Sequence, residues 1–164
     1  MDCNRGDGVC KPETTDPKPT GDRGDGPDDL KPGRTIAFTA KLDICNSYPT
    51  HKGPLRFTNV LVNEGGGYRP ETGVFTCPVP GFYSFTVHVS TYGRAQFMIS
   101  KNGQNVVSAY HSTLCDRKSQ MASISSVIEL SESDMVWVEL WGSPRNDIFA
   151  SQDNDTVFLG FRLG

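Results

Sequence analysis

The sequence predicts an all-β protein in which two antiparallel sheets pack as a sandwich behind a disordered N-terminal arm. Along residues 35–164, short runs of β-branched and aromatic residues alternate with glycine and proline clusters, as in strands joined by tight turns. Helical periodicity of apolar residues is missing from the sequence. Roughly ten short strands at regular spacing in about 130 residues are typical of a sandwich.

The composition divides the chain into an arm, residues 1–34, and one globular domain, residues 35–164. The arm is rich in Gly, Pro and Asp, and Val9 and Leu30 are its only branched aliphatic residues. Such a segment buries too little apolar surface to offset the entropy of ordering it. With 164 residues, 36% of them apolar, the whole chain can build one substantial core.

Alternation of apolar side chains places the individual strands. In residues 35–42, Ile36, Phe38 and Ala40 share one face, which indicates a half-buried first strand. After a loop over 43–54, the richest stretch, residues 57–87, ends in a strand whose period-two face consists of Gly81, Tyr83, Phe85 and Val87.

The later strands follow the same logic. Residues 95–99 and 106–110 flank the dipeptide Asn102-Gly103, a strong hairpin signal. Strands are also predicted over 121–130 and 135–141, and the second of these points Val136, Val138 and Leu140 inward. In the last strand, four apolar residues share a face that we assign to the core, which leaves Phe158 on the outer face; the four are Val157, Leu159, Phe161 and Leu163.

A specific set of residues resembles the signature of the complement C1q-type globular domain. The set keeps that family's order and intervals, with Val87 standing where the family usually has an aromatic residue; its members are Phe57, Asn63, Tyr68, Phe75, Gly81, Tyr83 and Phe85. The closing run, residues 153–161, is similar to the family's last strand. The resemblance implies a jelly roll of the C1q and tumour-necrosis-factor type that assembles as a compact homotrimer.

Outward apolar side chains are the candidates for a trimer interface. Trp137 and Trp141 lie on the outer face of the strand over 135–141, and Phe158 is the third candidate. Exposed apolar patches commonly mark contacts with another chain. The alternative is that Trp137 or Trp141 packs beneath a loop of its own domain.

The five cysteines indicate an extracellular protein, because none forms the short-spaced pairs of zinc sites. Cys3 and Cys10 are a disulfide candidate that would close a polar loop. Among Cys45, Cys77 and Cys115 at most one pair can form, and its identity stays open. The N-terminus lacks a signal-peptide pattern. The cysteines and the family resemblance lead us to interpret the chain as a mature secreted protein. Asn154 begins a glycosylation sequon that is equally explained by chance.

The arm contains Arg5-Gly6-Asp7 and Arg23-Gly24-Asp25. The tripeptide resembles the integrin-recognition motif, which implies that Asp completes the coordination of a receptor metal ion while Arg pairs with receptor carboxylates. A Cys3–Cys10 disulfide would preorganise the first copy and reduce the entropy lost on binding. The alternative is a solvated charged linker.

Several classes of function are disfavoured. A net charge of −3 with scattered Lys and Arg argues against a nucleic-acid partner, and no apolar run approaches the roughly 20 residues needed for membrane insertion. The three histidines, His51, His88 and His111, stand in unrelated contexts, and motifs for a nucleophile, a phosphate loop or a metalloprotease helix are missing. The sequence therefore predicts no enzyme.

We predict no cofactor and no metal site, with calcium left open. Some relatives of the family that the chain resembles hold calcium through carboxylates in the loop after the residue equivalent to Tyr110. Here His111, Ser119 and Gln120 occupy those places, and Asp116 is the loop's only acid, whereas calcium prefers several carboxylates. Asp153, Asn154 and Asp155 form another oxygen-rich turn, although such turns usually serve local backbone hydrogen bonds.

These observations favour a secreted, non-enzymatic recognition protein. Stalkless proteins that look like this one are commonly innate-immune lectins or pattern-recognition proteins, so the expected partners are a microbial surface or glycan. The alternative is a matrix or cell-adhesion ligand that binds integrins through the Arg-Gly-Asp motifs of the arm.

Overall fold

The computed structural model describes residues 34–44, 52–112, 118–142, 146–153 and 155–164. Within these ranges every regular element is a β-strand, and the strands form two antiparallel sheets. The predicted all-β sandwich is therefore confirmed.

The first sheet is assembled from strands that are far apart in the sequence. Its strands are β1 (Ala37–Lys41), β2 (Asn59–Glu64), β5 (Gly81–Thr91), β8 (Gln120–Leu130), β10 (Ile148–Phe149) and β11 (Val157–Arg162). The second sheet contains β3 (Tyr68–Arg69), β4 (Val74–Thr76), β6 (Ala95–Lys101), β7 (Gln104–His111) and β9 (Met135–Leu140).

The strand order is that of a jelly roll. The first sheet runs β8-β5-β11-β1-β2, with the short β10 beside the end of β5. The second sheet runs β3-β4-β9-β6-β7. The last strand, β11, lies between β5 and β1. The first sheet is therefore complete only when the last strand of the domain pairs with the first.

Aromatic rings fill the space between the sheets. Phe38 stacks on Tyr68 with ring centroids 4.8 Å apart and meets Phe158 edge-on at 4.9 Å. Phe75 of the second sheet packs against Phe85 of the first at 5.4 Å. The buried hydroxyl of Tyr68 donates to the Phe57 carbonyl oxygen over 3.1 Å, so the polar end of the ring is satisfied inside the core.

The predicted hairpin at Asn102-Gly103 is confirmed. Both residues have positive φ, 49° and 83°, and Lys101 of β6 pairs with Gln104 of β7. Positive φ at both central positions defines the type I′ turn, whose twist matches that of the two strands.

The predicted orientation of the last strand is wrong. Phe158 is fully buried, whereas Phe161 and Leu163 are exposed and Val157 and Leu159 are half-buried. The reason is Gly160, which shares the inner face with Phe158. A Cβ at Gly160 would lie 2.6 Å from the Phe85 ring and 2.7 Å from the Phe38 ring, so a glycine is required where the rings meet.

Candidate functional site

The outer face of the first sheet carries a band of exposed apolar side chains. Phe82 of β5 is 53% exposed, Val127 of β8 is 60% exposed and Phe161 of β11 is 43% exposed. Leu163, just after β11, and Val62 of β2 are exposed as well. We call these five residues the apolar face; the band reaches from one edge strand of the sheet to the other.

Strand register places the members of the apolar face in neighbouring rows across the sheet. Val127 lies opposite Ser84, Ser84 lies opposite Phe161, and Phe161 lies opposite Ala37. The next row passes through Leu159 to Val62 at the edge of the sheet. With strands about 4.8 Å apart, the five-strand face is roughly 20 Å wide.

Two pairs of polar side chains on this face are hydrogen-bonded to each other. Thr86 Oγ1 and Ser125 Oγ lie 2.9 Å apart across β5 and β8, and His88 Nδ1 lies 2.6 Å from Ser123 Oγ. Each of these four side chains therefore already has one hydrogen-bond partner within the domain.

The outer face of the second sheet is organised around β9. As predicted, Val136, Val138 and Leu140 point into the core, and the intervening side chains face outward. Glu139 accepts hydrogen bonds from Gly53 N over 2.8 Å and from Ser100 Oγ over 3.1 Å, which fixes its carboxylate against the sheet.

Trp141 and Tyr110 form an aromatic pair at one end of this second face. Their ring centroids are 6.4 Å apart with planes inclined by 36°. The Trp141 indole Nε1 donates to the Phe97 carbonyl oxygen over 3.1 Å, so the ring orientation is fixed by the backbone of β6. Tyr110 is 60% exposed.

Cys77 and Tyr83 share one acceptor at the end of the core. The Cys77 thiol and the Tyr83 hydroxyl both donate to the Val79 carbonyl oxygen, over 3.2 and 2.6 Å. Burial raises the pKa of the Cys77 thiol and also the pKa of the Tyr83 hydroxyl. Since the thiolate is the reactive form of cysteine, this arrangement disfavours nucleophilic chemistry at Cys77.

The ranges that the structure describes contain no cluster of three or more His, Cys, Asp or Glu side chains suited to a metal ion. Asp155 instead accepts hydrogen bonds from Ser151 N and Ser151 Oγ, over 3.0 and 3.1 Å, and Ser151 Oγ accepts one from Asp153 N. These contacts favour the local hydrogen-bonding interpretation of that turn.

Comparison with known proteins identifies the architecture. A family model described as C1q domain matches residues 37–163. The chain belongs to the C1q domain family. It is 38% identical over 129 residues to complement C1q and tumor necrosis factor-related protein 9 of Mus musculus, which covers 77% of this chain and 38% of that relative. The chain thus spans well under half the length of this relative.

Solved structures share the fold of this C1q domain. The globular domain of zebrafish complement 1qA protein superposes with a TM-score of 0.62 at 24% identity, covering 79% of this chain and 98% of the other. Eiger TNF from S. frugiperda superposes with a TM-score of 0.64 at 11% identity, covering 80% and 94%. At these identities the likeness concerns the fold.

None of the three predicted interface residues belongs to the apolar face. The assignment of Phe158 to an outer surface is wrong, because its ring packs among Phe38, Phe57 and Phe85. Trp137 and Trp141 are half-buried on the second sheet, whereas the apolar face lies on the first. The Trp137 indole N–H is buried without a hydrogen-bond partner in the part of the chain described.

Several predicted sites lie outside the described residues. They are Arg5, Gly6, Asp7, Arg23, Gly24, Asp25, Cys3, Cys10, Asn154, Cys45 and Cys115, together with Asp116 of the loop weighed for calcium. In the described part of that loop region, His111 Nε2 is hydrogen-bonded to Gln120 Oε1. His111 and Gln120, two of the three residues that occupy the places of calcium-binding carboxylates in relatives, therefore contact each other. Within the described ranges, no helix is long and apolar enough to cross a membrane.

The sequence does not reveal the apolar face, because one side of β11 carries four apolar residues and the other side carries only Phe158. The side with more apolar residues is predicted to face the core. The signal that could have reversed this assignment is Gly160, since glycine inside a strand often marks a place where other groups approach closely. Its presence on the face of Phe158 indicates that this face points inward.

Proposed function

We propose that this C1q domain protein is a secreted, non-enzymatic recognition protein, which forms a homotrimer through the apolar face and binds repetitive glycan or microbial surfaces. The exposure of Phe161 at the centre of the first sheet supports this proposal most directly. Each copy offers the same apolar band, and the resemblance to C1q and tumour-necrosis-factor domains favours three copies around one axis.

The chemistry of the apolar face suits burial against further copies. Its large side chains are spread over β2, β5, β8 and β11 or just after it, and exposed apolar patches commonly mark contacts with another chain. Two pairs of polar side chains among them are hydrogen-bonded within the domain, as at Thr86 and Ser125, which lowers the desolvation penalty of burying them.

Sedimentation of the full chain tests the assembly. We expect the unmodified protein to sediment as three copies, and Phe161→Glu to sediment as one copy, because a charge in an apolar interface is poorly solvated. Val106→Glu is the matched control, since Val106 is 42% exposed on β7 of the other sheet, and it should leave the trimer intact. A single-copy mass for the unmodified protein at micromolar concentration would contradict the trimer.

Recognition through three identical heads requires only weak individual sites. Presenting them on one axis raises apparent affinity for a repetitive surface by about 100-fold or more. Binding of the full chain to an array of microbial and other polysaccharides, with calcium and with a chelator, tests this step. If the unmodified protein binds polysaccharides of the array and the Phe161→Glu variant binds them much more weakly, the result supports a trimeric recognition protein. If no polysaccharide of the array binds the unmodified protein, the result contradicts this proposal.

The repeated Arg-Gly-Asp sequence favours a second candidate, cell adhesion through the arm. We expect a double variant, Asp7→Glu with Asp25→Glu, to lose cell adhesion, because the added methylene displaces each carboxylate from a receptor metal ion. The matched control is Asp2→Glu with Asp16→Glu, which alters two other aspartates of the arm. Equal adhesion of cells to the first double variant and the unmodified protein excludes this function.

A further inference from the structure

We propose that the aromatic pair Tyr110 and Trp141 is a binding site for an uncharged hexose ring of a polysaccharide, an inference that rests on the proposed recognition function. The pair lies on the outer face of the second sheet, opposite the sheet that carries the apolar face.

The local structure holds the pair in a fixed arrangement. Gln96 of β6 pairs with Tyr110 of β7, and the Trp141 backbone N–H donates to the Gln96 carbonyl oxygen over 3.0 Å. The two aromatic side chains thus flank Gln96 in one row across the face. Because the Trp141 indole N–H is bonded to the Phe97 carbonyl oxygen, its ring needs no reorganisation to receive a ligand.

The size of the pair fits a single ring better than a protein. A specific protein interface buries about 800 Å² on each partner and uses about 20–30 residues. Two aromatic side chains, of which Trp141 is half-buried, supply only a fraction of that area. An area of this size matches one or two sugar rings laid flat.

The charged side chains of β6, β7 and β9, the strands beside the pair, favour an uncharged ligand. Within β6, β7 and β9, the charged or basic side chains are Lys101, His111 and Glu139. Lys101 is engaged by Asp134, His111 by Gln120, and Glu139 by Gly53 and Ser100. A phosphate or carboxylate ligand would therefore find no unengaged cation on these three strands.

The chemistry of aromatic rings supplies the attraction. The face of an aromatic ring is electron-rich, and one face of a hexose presents C–H bonds that carry partial positive charge. Stacking these C–H bonds on Tyr110 and Trp141 removes apolar surface from water. The exposed hydroxyl of Tyr110 adds a hydrogen-bond donor and acceptor at the rim of the site.

Titration calorimetry of the full chain with dextran and mannan, and with alginate as the anionic arm, tests the site. We expect dextran or mannan to bind, Tyr110→Ala to weaken that binding by about tenfold or more, and Tyr110→Phe to stay within about threefold of the unmodified protein. Tyr92→Ala is the control, because Tyr92 is also exposed but stacks on Phe149 at 4.1 Å, away from the pair.

The outcomes separate this site from the proposed function. If the unmodified protein binds dextran or mannan and Tyr110→Ala binds equally well, the aromatic pair is excluded as the site while recognition of polysaccharides stands. Binding of alginate alone overturns the assignment of an uncharged ligand and leaves recognition standing. If none of the three polysaccharides binds, the assignment of this site fails, and the polysaccharide array described above decides separately whether the recognition function stands.

Discussion

Gly160 of β11 lies directly opposite Phe85 of β5, and a Cβ on Gly160 would approach the Phe85 ring to 2.6 Å. This contact decides which face of β11 turns inward. Because side chains alternate across a strand, burying position 160 also buries Phe158 and exposes Phe161. One missing side chain thereby positions the apolar face on the outside of the domain.

Gly160→Ala should destabilise the domain, because the added methyl group forces the Phe85 and Phe38 rings to move. Overpacking a close-packed core costs about 1–3 kcal/mol in the free energy of unfolding. Urea denaturation at one fixed protein concentration measures the change, and Ser108→Ala at an exposed position of β7 serves as the control. An unchanged urea midpoint for Gly160→Ala would mean that the rings relax freely around the new methyl group.

Phe158→Leu should lower stability, because the shape of the replacement side chain leaves part of the ring cavity unfilled. Shrinking a buried aromatic side chain removes both transfer free energy and packing contacts, and complete truncation costs about 3–5 kcal/mol; we expect a fraction of that for leucine. At a concentration where the protein is folded, the mass measured by sedimentation should match that of the unmodified chain. If the Phe158→Leu variant failed to assemble but kept the thermal stability of the unmodified protein, Phe158 would have to be an interface residue after all.

The sequence was sufficient to predict the sandwich, because period-two patterns in β1, β5 and β9 leave little ambiguity about which side chains are buried. Tyr83, Phe85 and Val87 are all buried as their spacing indicates. The apolar face was harder to predict, because β11 has apolar side chains on both faces and their alternation does not distinguish inside from outside. The pair of Tyr110 and Trp141 was missed for a different reason, since cross-strand neighbours depend on register between distant segments.

Asp134 should contribute stability that is lost at low pH. Its carboxylate accepts hydrogen bonds from Asn102 Nδ2 and Ser131 N, each over 2.8 Å, and its Oδ2 lies 2.9 Å from Lys101 Nζ. These contacts, with the Asn102 hydrogen bond foremost, lower the pKa of Asp134 from 3.8 to about 2. A lowered pKa in the folded state means that the stabilisation is complete above about pH 4 and disappears as pH falls toward 2.

We therefore expect Asp134→Asn to lower the thermal midpoint at pH 6 and to flatten its fall between pH 4 and pH 2. Thermal unfolding followed across this range measures both effects. Glu132→Gln removes a negative charge from the same turn without touching this network and controls for net charge. A midpoint for Asp134→Asn that falls as steeply as that of the unmodified protein would exclude Asp134 as a source of the acid sensitivity.

Cys77 should resist alkylation in the folded protein, although its thiol is unpaired. Its side chain is 1% exposed, and burial raises the pKa of the thiol, so both access and the thiolate fraction are low. Iodoacetamide labelling at pH 7.5, with each cysteine-containing peptide resolved by mass spectrometry, should modify Cys77 only after denaturation. Tyr83→Phe removes the neighbouring hydroxyl and keeps the ring, so protection should persist in that variant. The packing of Phe75 against Tyr83 should keep solvent away from this end of the core. Rapid labelling of Cys77 in the native protein would contradict this expectation, because it would show that the core near Val79 opens readily to solvent.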